Sequence, residues 1–520
     1  MKKFIVPIYI LLFTILVFYG LWHMYFQQDE WVGFGRVVYA QTYGFTTLII
    51  QSGSHFTPLT TILMAAFYTL FSLDHRWYAW YSILLHAANG LLLYILADTL
   101  IKNKKAAILA ATLFVAAAPS QQAVTWYAAS LSFLPSAFFS LLGLLLFEMF
   151  LKIPKAKHLF LSMLCILIGA GFRENAIFLL AYVPIRSLLV RHPHAKKILA
   201  YSCFFFGLYA IARFLPNMLF GNPLTTLAPG NVTFFSIALQ AITFELLYLP
   251  KIIFPEYLSR IWLVRLFGPW AHFVNLEYLV HIFYAALWAT SAVILALLLR
   301  FSAKAKQHRH FVWSMIVFLV LSVLPFALLP PPLIMEPRHF YLSSVGFSLL
   351  VAYILLLVIK KSTPIGKVVL MAGVILYAAV NIVVIQITLR ALKRTSDTKK
   401  TAVAQLASLF PNLQKQTLVL GTGDPLPFQT GTGNMLLLLY YDKQPYQKHL
   451  GEKFLQNLYS QGYKDIDGVG FGFFTDLPTL LTTYCQYRLQ PENVLSFSWN
   501  GISQTLTDVS SGARAMLRCN

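Results

Sequence analysis

The sequence predicts an all-α polytopic membrane protein with a small C-terminal α/β domain, and three observations lead there. Of its 520 residues, 58% are hydrophobic and only 11% are charged, with a mean hydropathy of +0.66. Soluble domains run nearer to about half apolar and about a quarter charged. The apolar residues are gathered into runs of about 20, the length that crosses a bilayer. Between these runs sit short basic clusters, which account for the formal net charge of +21 as topology marking at a membrane surface rather than as a nucleic-acid footprint.

Backbone polar groups in hydrocarbon must be paired within the protein, which leaves helices or closed barrels. The runs are continuous and rich in Leu, Phe, Ala and Ile rather than alternating, so helices follow. About eleven spans are expected, near 4–22, 77–101, 106–118, 132–151, 159–172, 174–190, 198–215, 275–300, 311–330, 339–360 and 366–390. The first lacks the small-residue cleavage site of a signal peptide and is read as an uncleaved span. Basic clusters follow alternate spans, at 102–105, 152–157, 186–197, 304–309 and 360–367. Placing them inside with Met1 gives one consistent topology, provided that 55–73 and 236–254 lie in the interface instead of crossing. Loops 23–76 and 216–274 then face the other side. The stretch RALKRTSDTKK after the last span would also be external, against the usual charge bias.

From about 391 the composition changes. A helical stretch, a strand-like TLVLG and turn-rich GTGDPLPFQTGTGN indicate a soluble extracytoplasmic α/β domain over 391–520, following a transmembrane unit over 1–390. Cys165 and Cys203 fall in apolar runs. Cys485 and Cys519 lie in the polar tail and could pair if it faces an oxidising compartment.

Four groups of residues could carry chemistry. Asp29 and Glu30 stand just beyond the first span, where a solvated helix end beside the Trp31 anchor is the simpler reading. Ser54, His55, Thr57 and Pro58 form a polar knot that helix capping also explains. Arg173 and Glu174 interrupt two apolar runs, and ionisable residues at such depth are costly and usually paired; a structural ion pair and a functional site are equally consistent with them. Finally, PPPLIMEPRHFYLSSVGF places Glu336, Arg338, His339 and Tyr341 at a helix start. An arginine there suits a phosphate, since its planar donor fork is charged at any working pH, although a lone interfacial Arg usually snorkels. The glycine-rich tail segment lacks the G-K-[ST] of a phosphate loop, and Asn231-Val-Thr is a sequon by pattern only. No His/Cys spacing resembles a zinc site; no cofactor is indicated, and a divalent metal is left open.

The order of these stretches resembles the GT-C superfamily of membrane glycosyltransferases. QDEW in the first external loop is followed by HFTPLT, HAANGLLLYILADTL and AATLFVAAAPSQQAVTWYAASLSFLPSAFFSLLGLLLF. Ala118-Pro119, Trp126, Phe172-Arg173-Glu174 and Glu336 to Phe347 are similar to motifs of the transmembrane and tetratricopeptide-repeat O-mannosyltransferases and their bacterial relatives. The likeness covers about residues 1–390. The repeats are missing, and Arg173 stands where that family often has Lys.

The resemblance implies inverting transfer of a sugar from a polyprenyl-phosphate or -diphosphate donor, on the non-cytoplasmic face of a membrane, to a glycan, lipid or protein acceptor. It assigns Asp29 as base with Glu30 or Glu174 as helpers. Arg173, Arg338 and His339 would clamp the phosphate, with His55, Glu336 and Tyr341 in the binding site. Two other classes compete: a non-catalytic carrier-lipid binder or envelope assembly protein of the same fold, and a transporter. Transport sites lie near the bilayer midplane, whereas these ionisable residues gather at its outer boundary.

Overall fold

The computed structural model describes residues 4–27, 29–43, 56–220, 239–243, 248–254, 276–301, 306–327, 335–424, 432–439, 462–466 and 468–519. Among them, eight helices are long and apolar enough to cross a membrane, and the chain is a multi-pass integral membrane protein. In chain order the helices are α1 Ile5–Phe18, which continues as a 3-10 turn to His23, α2 Asp29–Tyr43, α3 Pro58–Phe71, α4 His75–Ile101, α5 Lys104–Val115 and α6 Tyr127–Lys152. There follow α7 Ala156–Phe172, α8 Leu179–Leu189, α9 Ala195–Phe220, α10 Leu276–Phe301, α11 Lys306–Ala327, α12 Tyr341–Lys361 and α13 Pro364–Leu409. Large apolar side chains such as Leu16, Ile365 and Val368 are 70% exposed or more, on the flanks that lipid would cover.

Three of the expected spans appear as shorter helices. At about 1.5 Å per residue, the 12 residues of α5 and the 11 of α8 fall well short of a hydrocarbon core about 30 Å thick. The 17 residues of α7 come closer. All three pack among the long helices. Segment 55–73, expected in the interface, holds the 14-residue α3, too short to span. Most of 236–254 lies outside the described residues.

Close helix approach depends on small residues, as is usual where lipid offers no hydrophobic drive between helices. A Cβ on Gly143 would stand 3.0 Å from the Ser162 carbonyl, and one on Gly169 would stand 3.0 Å from that of Ser136, so α6 and α7 meet nearly backbone to backbone. Polar pins add register. Arg186 donates to Glu148 at 3.3 Å and to Ser314 at 2.9 Å, joining α6, α8 and α11 through a buried ion pair.

The tail folds as expected into a small mixed domain. Its five-stranded sheet has the order β2-β3-β1-β4-β5, with β1 Gln416–Gly423, β2 Gly462–Ile466, β3 Val469–Phe474, β4 Val494–Asn500 and β5 Thr505–Asp508. The central β1 runs parallel to β3 and β4, and the outer strands pair antiparallel. Helices α14 Thr432–Leu439, α15 Leu477–Gln486 and α16 Ser510–Ala515 accompany it. Cys485 and Cys519 are joined, with Cα atoms 5.6 Å apart. Residue 390 is not a break. Helix α13 runs through it for 46 residues and ends on the sheet, where Gln405 bridges the Gln504 carbonyl and the Leu506 amide at 3.0 and 2.6 Å. Helix α14 packs directly on α2, where Met435 and Leu436 join Trp31 and Phe34 in the buried apolar core. The tail therefore lies on the side of the membrane that carries α2.

Candidate active site

Helix α2 is amphipathic: Trp31, Phe34, Val37 and Val38 are buried, while Asp29 and Arg36, seven residues apart, share an exposed face. The two carboxylates that open it therefore diverge. Glu30 points inward and is fully buried, accepting from the backbone of Gln27 at 3.1 Å and of Ala128 at 3.3 Å. It thereby caps the start of α6. Lys399, buried on the polar stretch of α13, donates to the Gln27 carbonyl at 3.2 Å within electrostatic reach of Glu30. Glu30 thus serves as a structural tie for the segment that presents Asp29.

Asp29 makes no hydrogen bond or ion pair among the described residues. Its rim is open, yet surrounding protein removes enough water to raise its pKa above the ordinary carboxylate value. Desolvation is the largest cause; Arg338 opposes it, Glu336 adds to it and Arg36 opposes it. That electrostatic set brings the segment after the first span together with the EPRHFY stretch.

Glu336 begins a 3-10 turn with Pro337 at its first position, and a reciprocal box locks the turn. The Glu336 side chain accepts from the His339 amide, while the Glu336 amide donates to His339 Nδ1 at 3.1 Å. This fixes Arg338 between them. Its Nη1 donates to Glu336 and, at 3.2 Å, to Gln122 Oε1; its guanidinium carbon lies 4.5 Å above the Trp126 ring. Gln122 closes the arrangement by donating to Glu336 at 2.9 Å. Among the described residues, Nε and Nη2 of Arg338 bond to nothing, which leaves one edge of the donor fork open. The buried Nε1 of Trp126 likewise has no acceptor.

Arg173 adds a second cation. It is an extended residue between α7 and the 3-10 turn Glu174–Phe178, so it and Glu174 diverge. Its guanidinium carbon lies 4.7 Å over the Phe133 ring and makes no hydrogen bond or ion pair among the described residues. Burial lowers its pKa to about 10, Glu174 raising and Arg338 lowering it, so it stays charged at neutral pH and feels Arg338. Phe133 also faces His339, with ring centroids 5.9 Å apart.

Asp29, Arg338, Glu336 and Arg173 thus share one neighbourhood, with His339 buried beneath it between Phe133 and Phe326. Glu174 and Tyr341 do not join it. Glu174 accepts from Arg213 and from the Phe56 amide. Tyr341 is fully buried in the helical core, where its hydroxyl meets His86 Nδ1 at 2.7 Å and accepts from Asn89 at 3.0 Å. His55 lies outside the described residues. Sequence reasoning missed Gln122, Arg213 and Lys399. Arg213, a single cation at the end of an apolar run, could have been found by the depth rule applied to Arg173; Gln122 carried no signal. Among the described residues no three His, Cys, Asp or Glu side chains gather to hold a metal ion.

In chemical terms, a carboxylate without a partner among the described residues lies in the field of one guanidinium that has an edge open among them, with a second guanidinium, likewise unpaired among them, near the first. Such a set can take a proton from a hydroxyl and receive an anion. No family model and no curated protein matches the chain. Among solved structures, the crystal structure of ArnT from Cupriavidus metallidurans bound to undecaprenyl phosphate overlaps with a TM-score of 0.43 at 12% identity, covering 82% of this chain and 84% of that one. The same protein in its apo state gives a TM-score of 0.37 at 14% identity, over 95% and 93%. Overlaps this loose leave the reading of the site to its own geometry.

Proposed function

We propose that this chain is a glycosyltransferase of the GT-C kind, which moves a sugar with inversion from a polyprenyl-phosphate-linked donor to an acceptor hydroxyl at the membrane surface. The observation that carries the reading is Asp29, a carboxylate with no partner among the described residues, in the field of Arg338, which Arg173 in turn feels. A lipid-linked donor obliges the site to sit beside the spans, as this one does.

In the reaction the acceptor oxygen attacks the anomeric carbon while the bond from that carbon to the phosphate oxygen breaks. Asp29 takes the acceptor proton on the face opposite the leaving group, which inverts the configuration. Arg338 and Arg173 receive the negative charge gathering on the departing phosphate, so that group needs no acid of its own. Glu336 and Gln122 orient Arg338, and Glu30 with Lys399 anchors the segment that carries Asp29. The reaction faces the non-cytoplasmic side, in a bacterial cytoplasmic membrane with Met1 inside. The alternation of basic loops supports this orientation, as does the Cys485–Cys519 pair on the side of α2. The likeness to O-mannosyltransferases makes mannosyl carriers the first donors to try.

The test is incubation of purified protein with a panel of polyprenyl-phospho-sugars while donor consumption is followed. Consumption of one donor that depends on Asp29 is expected. Binding of the carrier without turnover of any donor would reassign the chain as a carrier-lipid binder.

A further inference from the structure

A polar cleft of about 650 Å³ opens on the same side of the membrane between the end of the first span, the turn before α4 and the polar stretch of α13. Trp22, Tyr25, His75, Lys393, Asp397 and Lys400 line it. Lys393, Asp397 and Lys400 stand at i, i+4 and i+7 and so share one face of α13. They belong to the RALKRTSDTKK stretch whose external charge ran against the topology bias, and the glycosyl-transfer site uses only Lys399 of it.

The charges of the cleft are unequally committed. Asp74 and Arg76 hold each other through two hydrogen bonds of 2.8 and 2.7 Å and are neutral as a pair. Lys400 rests 3.5 Å from His75 Nε2 and 5.8 Å over the Tyr25 ring, with no carboxylate paired to it among the described residues. Lys393 and Asp397 make no ion pair among the described residues. Two cations and one carboxylate are therefore left facing a single space.

Depth narrows the ligand. Counted along the helix from the end of its apolar part near 390, Lys393 lies roughly 5 Å and Lys400 roughly 15 Å further out. The headgroup layer beyond the hydrocarbon is roughly 5 to 8 Å thick on each side. Trp22 packs edge to face on Trp80 with centroids 4.8 Å apart, in the manner of an interfacial aromatic belt. Only Lys393 thus stands at headgroup level; the cleft extends outward past it, and Lys400 meets a headgroup by reaching its long side chain back along the helix.

We infer that this cleft binds a phospholipid headgroup in which a phosphate is joined to a hydrogen-bond donor, as in phosphoethanolamine. Lys393 and Lys400 take the phosphate and Asp397 takes the ammonium. This inference is independent of glycosyl transfer, and its failure would leave that reading untouched.

The experiment titrates full-length protein, in a non-ionic phosphate-free detergent, with dihexanoyl phosphatidylethanolamine, dihexanoyl phosphatidylcholine and free O-phosphoethanolamine. The ethanolamine lipid should bind at least about tenfold more tightly than the choline lipid, whose quaternary ammonium offers no donor. Lys400→Gln, Lys393→Gln and Asp397→Asn should each weaken it about tenfold, the scale of one charged hydrogen bond. All three side chains are exposed on α13, so the variants should elute from gel filtration as the wild type does. Equal binding of free O-phosphoethanolamine and its lipid would support the same chemistry with a soluble source. Equal binding of the choline lipid, no binding, or variants that change nothing would overturn it.

Discussion

Replacing Arg338 with alanine should weaken binding of a polyprenyl phosphate by roughly ten- to a hundredfold. The magnitude follows from the open edge of the guanidinium. Nη1 is occupied by Glu336 and Gln122 and the plane rests on Trp126, so the Nε and Nη2 edge is held in place and unspent among the described residues. One hydrogen bond to a charged group contributes about 1.5–3 kcal/mol, which is that range of affinity. Little of the loss should come from misfolding. Without Arg338, Glu336 keeps Gln122 at 2.9 Å and is 43% exposed to water. Arg338→Lys should recover only part of the affinity, because an ammonium cannot offer two parallel donors or stack on Trp126 in the same way. Acceptor affinity should barely move. The assay is equilibrium binding of a polyprenyl phosphate to wild type and both variants in detergent. Equal affinities across the series would refute the phosphate role and leave Arg338 as a snorkelling interfacial residue.

Asp29→Asn should abolish transfer, by about 10²–10⁴ in rate, while the thermal midpoint at pH 7 stays level or rises, since the fold holds the ionised carboxylate against its preference; turnover at half the normal rate would name another base. The acid limb of activity should lie above the ordinary carboxylate value of 3.8, because the base works only when ionised. Glu336→Gln should move that limb down and Arg36→Ala should move it up, and parallel shifts in the pH–rate profiles would contradict the assigned field. Glu30→Ala should instead lower stability by about 1.5–3 kcal/mol or more, through lost caps on Gln27 and Ala128 and a stranded Lys399, as read by thermal unfolding in detergent; normal stability with lost activity would make Glu30 catalytic. Reporter fusions at Lys104 and Lys196 should be internal and one at Asn520 external, and an external Lys104 would sink the orientation.

The class of the protein was legible in the sequence because solvent imposes it locally. A run of about 20 apolar residues excludes every structure in water that would leave it exposed, and a lysine cluster at its end has one comfortable side of a bilayer. The small α/β tail was legible for the same reason, as strand and turn chemistry act over a few residues. The neighbourhood of the site was partly legible: Asp29, Arg173, Glu336 and Arg338 stood out because ionisable residues beside spans are costly. Only the tertiary structure decided what each touches. Asp29 and Glu30 are adjacent and chemically alike, and the helical turn of about 100° between them sends one to the exposed face and the other into the core. Arg173 and Glu174 part in the same way at an extended residue, one over Phe133 and the other to Arg213. Tyr341 follows Arg338 by three residues yet turns inward to His86 and Asn89. The stretch RALKRTSDTKK reads as a misplaced charge run until α13 carries Lys399 beneath Glu30 and leaves Lys393 and Lys400 at a cleft. Partners separated by hundreds of residues are matched by packing, and packing is a property of the whole chain.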